Sequence, residues 1–393
     1  MHVLINAASA NMGGAVTYLQ NVLRWLPRVA PEDNFTVFVP RETIGKLADT
    51  GEARNVDIRA YPYENTGGKE RFYFDQVLLP RLVRSSKVDV LFSSTGFGTY
   101  VSPCPQVLLV RNLAYFDRAF HARYRELGRS LRRNTFRRWL SIVSIKTADV
   151  VLFPTRGMQE MVEGYVSLGG RRAEAIHYGF DHEAFSARNG NESELCKQIE
   201  GWKSQGYNIL LNVSTFAVQK NYETLVEALP HVKATGCKVK VLLTISREKT
   251  TDKAEYDALM RRAADLGVDG DLVEVGYVPY QQLGALYRSA DLYVFPSFSE
   301  SFGHSLVEAM ASGLPVVAAG SPVNREVAGD AGIYFDSFDP VHCASKIVDV
   351  ISSPQRRHQL REASLNRAKH FSWESYATKL VGVFREAVAN SRR

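Results

Sequence analysis

Short apolar runs alternate with longer amphipathic stretches along the whole chain. Most of the apolar runs are continuous, which is typical of strands in a sheet covered by helices on both faces. We therefore predict strands at His2–Ala7, Phe35–Val39, Val88–Ser94, Val107–Arg111, Val150–Pro154, Ile209–Ser214, Val239–Thr244, Leu292–Pro296 and Pro315–Ala318. Helical spacing fills the gaps, for example at Ala15–Leu26, Glu223–Lys233, Asp252–Leu266 and Gln281–Ser289. Repeated strand–helix units predict an α/β protein with parallel, doubly wound sheets.

The length of 393 residues exceeds what one ordinary core accommodates, so two domains are expected. A polar stretch at 186–195, SARNGNESEL, has the composition of a linker. It predicts a first domain at residues 1–187 and a second at residues 188–374. The remaining segment has helical spacing over Trp373–Val388, with Ser372 as the predicted N-cap.

Composition limits the class of protein only broadly. A hydrophobic content of 45% with 23% charged residues is typical of a packed globular chain. The net charge of +6 permits an anionic partner such as a nucleotide, a phospholipid surface or nucleic acid, without selecting one. Four dispersed cysteines, the absence of a secretory leader pattern and the lack of about 18 consecutive apolar residues all favour the cytoplasm.

The segment from Asp291 to Ser312 has the pattern of a buried strand, a loop and a helix. Ligands of open α/β sheets lie beyond the carboxyl ends of strands, where loops lead into helix N-termini. Backbone amides around Gly303 are therefore suited to a diphosphate. Glu300 falls in the loop and Glu308 on the helix, so one carboxylate can face a sugar while the other accepts hydrogen bonds from a ribose. The spacing alone fits an ordinary strand–loop–helix unit equally well.

The surrounding sequence, Gly276 to Phe335, closely resembles the retaining glycosyltransferases of family 4. The resemblance implies a GT-B fold, in which two Rossmann-like domains face a cleft and the last helix, residues 375–393, crosses back to the N-terminal domain. It places Glu300 near the transferred sugar and Glu308 on the nucleotide ribose, as the two glutamates of the Glu-x7-Glu motif. The other donor-binding residues that it implies here are Tyr277, Val278, Ser301, Phe302, Gly303, His304 and Ser305.

A second correspondence involves Val213–Asn221, which is similar to the family's Val-Gly-Arg-x-x-x-x-Lys-Asn/Gly loop. The Arg and Lys of that loop neutralise the departing diphosphate. Lys220 matches the lysine, whereas Thr215 stands at the arginine position. The resemblance therefore implies a catalytic role for Lys220 and leaves one cation of the family unaccounted for. By itself, Lys220 also fits a solvated lysine at the start of a helix.

The first domain departs further from the family pattern. Asn11-Met12-Gly13-Gly14-Ala15 resembles the family's Gly-Gly loop, which implies donor contacts for Gly13 and Gly14. This segment lacks the Gly-x-Gly-x-x-Gly fingerprint, which argues against a dehydrogenase. Arg111 and Asn112 occupy the acceptor-side position at which many relatives carry His-Asp. They are equivalent in position only, because an arginine cannot act as a base near neutral pH.

Arginines are concentrated between His121 and Lys146. Four of them have i, i+4 spacing and are predicted to form one membrane-facing ridge on a helix: Arg125, Arg129, Arg133 and Arg137. An apolar stripe follows from Phe136, Trp139, Leu140 and Val143. Such a helix suits an anionic bilayer surface, although the stripe fits packing against its own domain equally well. A nucleic-acid partner is not expected, because no recognisable nucleic-acid module accompanies the basic run.

Together these features predict a retaining, metal-independent hexosyltransferase. The co-substrate is a UDP-, GDP- or dTDP-sugar, no separate cofactor is expected, and the acceptor is a glycan or a lipid-linked molecule of cell-surface polysaccharide or glycolipid synthesis. The expected location is the cytoplasm, including the inner face of the cell membrane. Two alternatives remain open: a sugar-nucleotide epimerase, and a non-catalytic relative that binds a nucleotide sugar. The sequence does not specify the base, sugar, acceptor, linkage or oligomeric state.

Overall fold

The computed structural model describes residues 1–11, 13–50, 53–64, 68–182, 185 and 194–391. Contacts divide the chain into two compact units. The first unit comprises Met1–Asp117, Ser130–Gly179 and Ser372–Arg393. The second comprises Arg118–Arg129 and Phe180–Phe371. Each unit contains one parallel sheet.

The sheet of the first unit contains seven parallel strands within the described part of the chain. Their order across the sheet is β3-β2-β1-β4-β5-β6-β7. The strands are β1 (His2–Asn6), β2 (Asn34–Val39), β3 (Val56–Ala60), β4 (Val90–Ser93), β5 (Gln106–Leu109), β6 (Val150–Phe153) and β7 (Arg172–Ala175). At the centre, Ile5 pairs with Val37 on one side and with Phe92 on the other. All three side chains are fully buried, as expected for a central strand with both faces covered.

The sheet of the second unit is also parallel, with six strands among the described residues in the order β10-β9-β8-β11-β12-β13. The strands are β8 (Asn208–Asn212), β9 (Val239–Leu243), β10 (Leu272–Glu274), β11 (Leu292–Phe295), β12 (Val316–Ala319) and β13 (Gly332–Phe335). Leu292 and Tyr293 of the central β11 pair with Leu210 and Leu211 of β8. These residues belong to the fully buried core.

Helices surround both sheets. In chain order they are α1 (Gly14–Val29), α2 (Arg41–Ile44), α3 (Gly68–Tyr73), α4 (Leu79–Ser85), α5 (Arg118–Glu126), α6 (Arg132–Thr147), α7 (Arg156–Glu163), α8 (Glu194–Ser204), α9 (Tyr222–Ala234), α10 (Lys253–Asp265), α11 (Tyr280–Ser289), α12 (His304–Ala311), α13 (Pro322–Ala328), α14 (Pro340–Ile351), α15 (Pro354–Ala368) and α16 (Trp373–Ser391). A π-helical turn, Phe74–Leu78, joins α3 to α4. The predicted α/β class with two parallel sheets is confirmed. No helix in the described ranges is both long enough and apolar enough to cross a membrane.

Two features of chain organisation differ from or extend the sequence-based expectation. The predicted limit between residues 187 and 188 lies outside the described residues. Ser372 and the following helix α16 belong to the first unit, and the Ser375 amide donates to Ser372 Oγ at 3.3 Å, as predicted for an N-cap. Segment Arg118–Arg129 belongs to the second unit, although the chain on both sides of it belongs to the first.

Candidate active site

The strand order reverses between β8 and β11 of the second sheet. This is the topological switch point, where ligands of parallel α/β sheets bind beyond the carboxyl ends of the strands. The loop that follows β8 carries Lys220, and the loop that follows β11 carries Glu300. Two of the residues singled out from the sequence are therefore brought to one place by the sheet topology.

Lys220 and Glu300 form an ion pair. Lys220 Nζ donates to Glu300 Oε1 at 2.5 Å, and Ser297 Oγ donates to the same oxygen at 2.6 Å. Both charged side chains are largely buried, and the ammonium also lies 5.9 Å from the centroid of the Phe295 ring. A largely buried lysine with a carboxylate partner is held in position, and it presents a point charge at the switch point.

Amide side chains hold the two loops together. Asn221 has a left-handed backbone, with φ of 54°, and follows Lys220 at the start of α9. Its Nδ2 donates to the carbonyl oxygens of Pro296 at 3.3 Å and Ser337 at 2.5 Å. Asn324 Nδ2 donates to Ser297 O at 2.8 Å. These bonds fix the backbone on both sides of the Lys220–Glu300 pair. Sequence reasoning missed Ser297 and Asn324. Ser297 lies only three residues before its partner Glu300 but belongs to no motif, and Asn324 bonds to a backbone oxygen 27 positions away.

Helix α12 begins directly after this loop. Gly303 precedes its first residue with a φ of +83°, a conformation that side-chain-bearing residues rarely adopt. The Gly303 carbonyl accepts from the Leu306 amide at 3.0 Å, so the helix starts in register at His304. The first-turn amides of a helix favour an anion, which supports the assignment of Gly303, His304 and Ser305 to a phosphate-binding segment.

Glu308 lies one turn further along α12. Its Oε2 accepts a hydrogen bond of 2.8 Å from the hydroxyl of Tyr287, a fully buried residue of α11. Burial raises the pKa of Glu308 from its ordinary value of 4.5 to about 7, and the hydrogen bond from Tyr287 lowers it in part. The carboxyl is thus poised to change charge near neutral pH. Tyr287 lies 21 positions before Glu308, and no local spacing signals the pair.

The remaining predicted donor residues differ in exposure. Tyr277 is 69% exposed, and the Lys249 ammonium lies 4.0 Å from its ring centroid. Val278 and Ser301 are partly buried. Phe302 is buried, with its ring centroid 5.5 Å from that of Phe371. The Phe302 side chain is therefore a core group, and only its backbone is suited to ligand contact.

Thr215, at the position of the family's arginine, is exposed in the loop after β8. Arg123 of α5 approaches the same loop and lines a small cavity with Phe216 and Val218. Its guanidinium pairs with Glu126 and Glu223. Arg123 is therefore already neutralised by two carboxylates and does not supply a free positive charge in place of the missing arginine.

In the first unit, Gly13 and Gly14 lie at the junction between the loop after β1 and helix α1. The strand order of this sheet reverses between β1 and β4, so the junction follows a strand at its switch point. Arg111 Nη2 donates to the Gly14 carbonyl at 3.0 Å. Asn112 Oδ1 accepts from the Ala114 amide at 3.1 Å, which caps a short 3-10 turn. The two predicted acceptor-side residues thus make intramolecular bonds.

A buried polar network also lies at the carboxyl end of β1. Asp75 of the π-helical turn accepts from Arg71 Nε at 2.6 Å and from Asn6 Nδ2 at 2.8 Å. Burial raises the pKa of Asp75, and the neighbouring Arg71 opposes the rise. No local sequence pattern predicts this network, because Asn6 lies 65 positions or more from its partners.

The predicted arginine ridge is wrong. Helix α5 ends at Glu126, Gly128 has a φ of +66°, and α6 begins only at Arg132. The four predicted arginines consequently belong to two different units: Arg125 and Arg129 to the second, Arg133 and Arg137 to the first. Arg129 forms ion pairs with Asp252 and Glu255 of 3.0 Å and 2.5 Å. Arg125 Nε donates to the carbonyl of His121 in its own helix at 3.2 Å.

The apolar stripe of α6 is not buried as a whole: Leu140 and Val143 are partly buried, whereas Phe136 and Trp139 are exposed. The buried face of this helix consists of Ser141, Ser144 and Ile145. Phe136 and Trp139 are 61% and 57% exposed, with stacked rings whose centroids are 6.3 Å apart. Two large aromatic side chains therefore face solvent on a helix that contains five basic and no acidic residues.

Among the described residues, the side chains of Asp336, Asp339 and His342 have ligand atoms within 4.8 Å of one another. Asp339 Oδ1 already accepts from the His342 amide at 2.9 Å as the N-cap of α14. His342 Nδ1 lies 3.2 Å from Asp336 Oδ2. The group is accounted for as the capped start of a helix.

The two parallel sheets, each with helices around it and a reversal of strand order, define the class of fold. The crystal structure of Anabaena HepE in complex with UDP and glucose covers 98% of this chain and 100% of its own, with a TM-score of 0.71 and 16% identity. The crystal structure of WaaG, a glycosyltransferase, is also similar, with a TM-score of 0.67 and 16% identity, and the predicted GT-B fold with two Rossmann-like domains is confirmed.

Sequence comparison then gives the family. Residues 12–184 match the model described as Glycosyltransferase Family 4, and residues 197–367 match the model described as Glycosyl transferases group 1. A D-inositol 3-phosphate glycosyltransferase of Corynebacterium aurimucosum is 35% identical over 404 residues, which cover 97% of this chain and 93% of the relative. The chain belongs to glycosyltransferase family 4, and the predicted resemblance is confirmed.

Other curated relatives match over shorter regions. A D-inositol 3-phosphate glycosyltransferase of Corynebacterium glutamicum is 27% identical over 250 residues, 63% of this chain. The match covers 59% of that relative's length. These comparisons establish membership of a glycosyltransferase family; they do not specify activity, donor, acceptor or stereochemistry.

Proposed function

We propose that this glycosyltransferase transfers a hexosyl group from a nucleoside diphosphate sugar to a hydroxylated acceptor, without a metal ion and with retention of anomeric configuration. The observation that carries the proposal is the Lys220–Glu300 ion pair of 2.5 Å at the switch point of the second sheet, next to the start of α12. A cation, a carboxylate and helix-terminal amides are the groups needed at one place to bind a sugar diphosphate.

In the proposed reaction, the bond between the anomeric carbon and the diphosphate oxygen breaks while a bond to the acceptor oxygen forms on the same face. The acceptor proton passes to the departing diphosphate oxygen, so no side chain has to act as the base. Lys220 and the first-turn amides of α12 stabilise the negative charge that develops on the diphosphate. Glu300 positions the sugar, and Glu308 accepts hydrogen bonds from the ribose diol.

The Lys220–Glu300 bond implies an exchange of partners on donor binding. Without donor, the ammonium is neutralised by Glu300. When the diphosphate arrives, it provides a stronger anionic partner for Lys220, and Glu300 becomes available to hydroxyl groups of the sugar. Ser297, which donates to Glu300 at 2.6 Å, keeps the carboxylate oriented during the exchange.

Candidate substrates follow from the neighbours. UDP and UDP-glucose are bound in crystal structures of Anabaena HepE, so UDP-hexoses are the first donors to test. The Corynebacterium relatives are named for inositol 3-phosphate, so that polyol phosphate is the first acceptor to test. GDP- and dTDP-hexoses, and glycan or lipid-linked acceptors from polysaccharide or glycolipid synthesis, complete the panel.

The test is a thermal-shift screen across UDP, GDP and dTDP, followed by transfer assays with the matching sugars in the presence of EDTA. We expect one nucleotide to raise the melting temperature and its sugar donor to give a product with the donor's anomeric configuration by NMR. An inverted product, or activity that EDTA abolishes, would overturn the retaining or the metal-independent part. Turnover of the donor without any acceptor to an epimer would favour a sugar-nucleotide epimerase. Nucleotide stabilisation without sugar release would favour a non-catalytic binder.

We further propose that the exposed face of α6 docks on an anionic bilayer, which would place the enzyme at the inner face of the cell membrane. This face carries Phe136 and Trp139, with Arg132 and Arg133 before them and Lys146 after them. Aromatic rings suit the interfacial region of a bilayer, and basic side chains are attracted to its negative surface. Arg129 is not part of this surface, because it forms an ion pair with Asp252 within the second unit.

Vesicle co-sedimentation tests this surface. Replacing Phe136 and Trp139 by serine is expected to reduce binding to phosphatidylserine-containing vesicles by about tenfold or more, because the inserted apolar area is lost. Phe72→Ser, which removes a ring with 50% exposure from the same unit, is the matched control and should bind as the wild type does. Arg132→Glu/Arg133→Glu should weaken binding mainly at low salt. Equal binding of wild type and the double serine variant would exclude this role for α6.

A further inference from the structure

Arg111, at the position where many relatives carry a histidine, contacts Gly14, Tyr18 and Tyr178 of its own unit. It follows the end of β5, where the Val110 amide still donates to Leu152 O at 2.9 Å. Nη2 donates to the carbonyl oxygen of Gly14 at 3.0 Å. The guanidinium carbon lies 4.5 Å from the ring centroid of Tyr18 and 5.7 Å from that of Tyr178.

The rings against which Arg111 packs form a buried cluster. Tyr18, Tyr178 and Tyr376 lie with their centroids 5.1 to 5.8 Å apart, and the hydroxyls of Tyr18 and Tyr376 are 2.6 Å apart. Burial raises the pKa of each phenol, so all three stay neutral. These rings come from α1, from the segment after β7 and from α16. They therefore form a rigid surface against which the Arg111 guanidinium packs. A guanidinium over such rings is held by its charge as well as by its shape.

Hydrogen bonds from three other segments hold the turn that Arg111 contacts. Gly13 has φ of +55° and ψ of −140°, a conformation that is essentially restricted to glycine. Among the described residues, no atom comes within 4 Å of the place that a Cβ would occupy on Gly13 or Gly14. In the described part of the chain, the two Cβ positions are therefore not enclosed by neighbouring side chains. Before the turn, the carbonyl oxygens of Ala10 and Asn11 accept hydrogen bonds from Thr43 Oγ1 at 2.8 Å and from Lys46 Nζ at 3.2 Å. At the start of α1, Arg111 donates to the carbonyl oxygen of Gly14.

We propose that Arg111 is a positioning residue that fixes the Gly13–Gly14 turn at the start of α1 for the transfer reaction. Because its guanidinium is bonded to Gly14 and stacked on tyrosines, Arg111 shapes the turn and is not itself a contact of the acceptor. The same arrangement explains why an arginine replaces a titratable side chain: the position is used for geometry, not for proton transfer. The effect of the turn on catalysis rests on the proposed function. The contacts by which Arg111 holds the turn do not.

The test combines hydrogen exchange with kinetics in the full-length protein. In Arg111→Met, amide exchange of residues 13–18 should rise about tenfold, because one hydrogen bond and two cation–ring contacts are lost. Both kcat/KM for transfer and acceptor-free donor hydrolysis should fall by the same roughly 10- to 100-fold factor, since the turn serves both reactions. Arg111→Lys, which keeps the charge and most of the stem, should restore part of both and serves if the methionine variant does not fold.

Arg28→Met is the matched control. Arg28 also stacks on a ring, with its guanidinium 5.2 Å from the Trp25 centroid, but at the last turn of α1. Its replacement should leave exchange at residues 13–18 unchanged. The proposal is overturned if Arg111→Met raises only the acceptor KM while exchange at 13–18 stays at the wild-type level, because that result makes Arg111 a direct acceptor contact. Amide hydrogen exchange needs no substrate, so it tests whether Arg111 holds the turn even if no donor supports transfer.

Discussion

Lys220→Ala is expected to lower kcat for sugar transfer by roughly 10²- to 10³-fold, because it removes a preorganised cation from the departing diphosphate. The loss should be large because Thr215 replaces the second cation of the family loop, and Arg123 near the same loop is neutralised by Glu126 and Glu223. Initial rates with the donor identified by the nucleotide screen provide the measurement. Lys238→Ala, which removes an exposed lysine from the same unit, is the control and should retain wild-type rates.

Glu300→Gln separates the two roles within the ion pair. The substitution should abolish measurable transfer, because the sugar is no longer positioned, yet it should keep or strengthen nucleoside diphosphate binding, because Lys220 loses its competing carboxylate. Lys220→Ala should instead weaken nucleotide binding. Isothermal titration with the nucleotide distinguishes these outcomes. Full transfer activity in either variant would contradict the assignment of the pair to the active site.

Glu308→Gln is expected to weaken nucleotide binding by about 10- to 100-fold at pH 8 and to remove most of its pH dependence. With a pKa of about 7, Glu308 of the donor-free protein is largely protonated below neutral pH and ionised above it. A ribose diol donates its hydrogen bonds best to the ionised carboxylate. Wild-type affinity should therefore rise as the pH increases through 7, whereas the glutamine variant should show a flat profile.

Glu308 should also make the free energy of unfolding depend on pH. Because its pKa is higher in the folded protein than the ordinary 4.5, Glu308 favours the folded state most below pH 4.5 and loses that contribution as the pH rises to about 7. The unfolding free energy of Glu308→Gln relative to wild type should thus increase across this window, by on the order of 3 kcal/mol at most. Denaturant melts at several pH values measure this difference and cancel the titration of other groups.

Glu274→Gln provides the matched control for both experiments. Glu274 also accepts a hydrogen bond from a tyrosine hydroxyl, that of Tyr256, but it lies at the end of β10. Its replacement should leave the pH dependence of nucleotide binding unchanged. If wild-type affinity does not vary between pH 6 and 8, or if both glutamine variants lose the dependence equally, Glu308 is not the titrating group of the ribose site.

The sequence predicted the centre of each sheet well and its edges poorly. Central strands such as β1, β8 and β11 are continuously apolar because helices cover both faces, and all were found. Four strands were missed: β3, β7, β10 and β13. All four are edge strands, such as the alternating Val56–Ala60 and the half-buried Arg172–Ala175. A partly exposed strand needs fewer apolar residues and leaves a weaker signal.

In the candidate site, the sequence predicted the motif residues but not the residues that support them. Glu300, Glu308 and Lys220 were identified because they belong to short motifs, and the topology of the second sheet explains why distant motifs meet. Their supports, such as Tyr287 and Asn324, could not be inferred, because each contact joins residues whose separation along the chain carries no pattern. The arginine ridge failed for another reason: i, i+4 spacing continues through Gly128, but the helix does not, since the chain there adopts a positive φ.

The assignment of chain segments to units has a consequence for synthesis on the ribosome. Segment Arg118–Arg129 interrupts the first unit, and α16 completes it only after the whole of the second unit. Tyr376 of α16 is one of the rings packed against Tyr18 of α1. A nascent chain therefore cannot finish the first core when its sheet has emerged, and must hold part of that core open until α16 is released. Truncation before Ser372 should accordingly yield an aggregation-prone product, not an isolated domain.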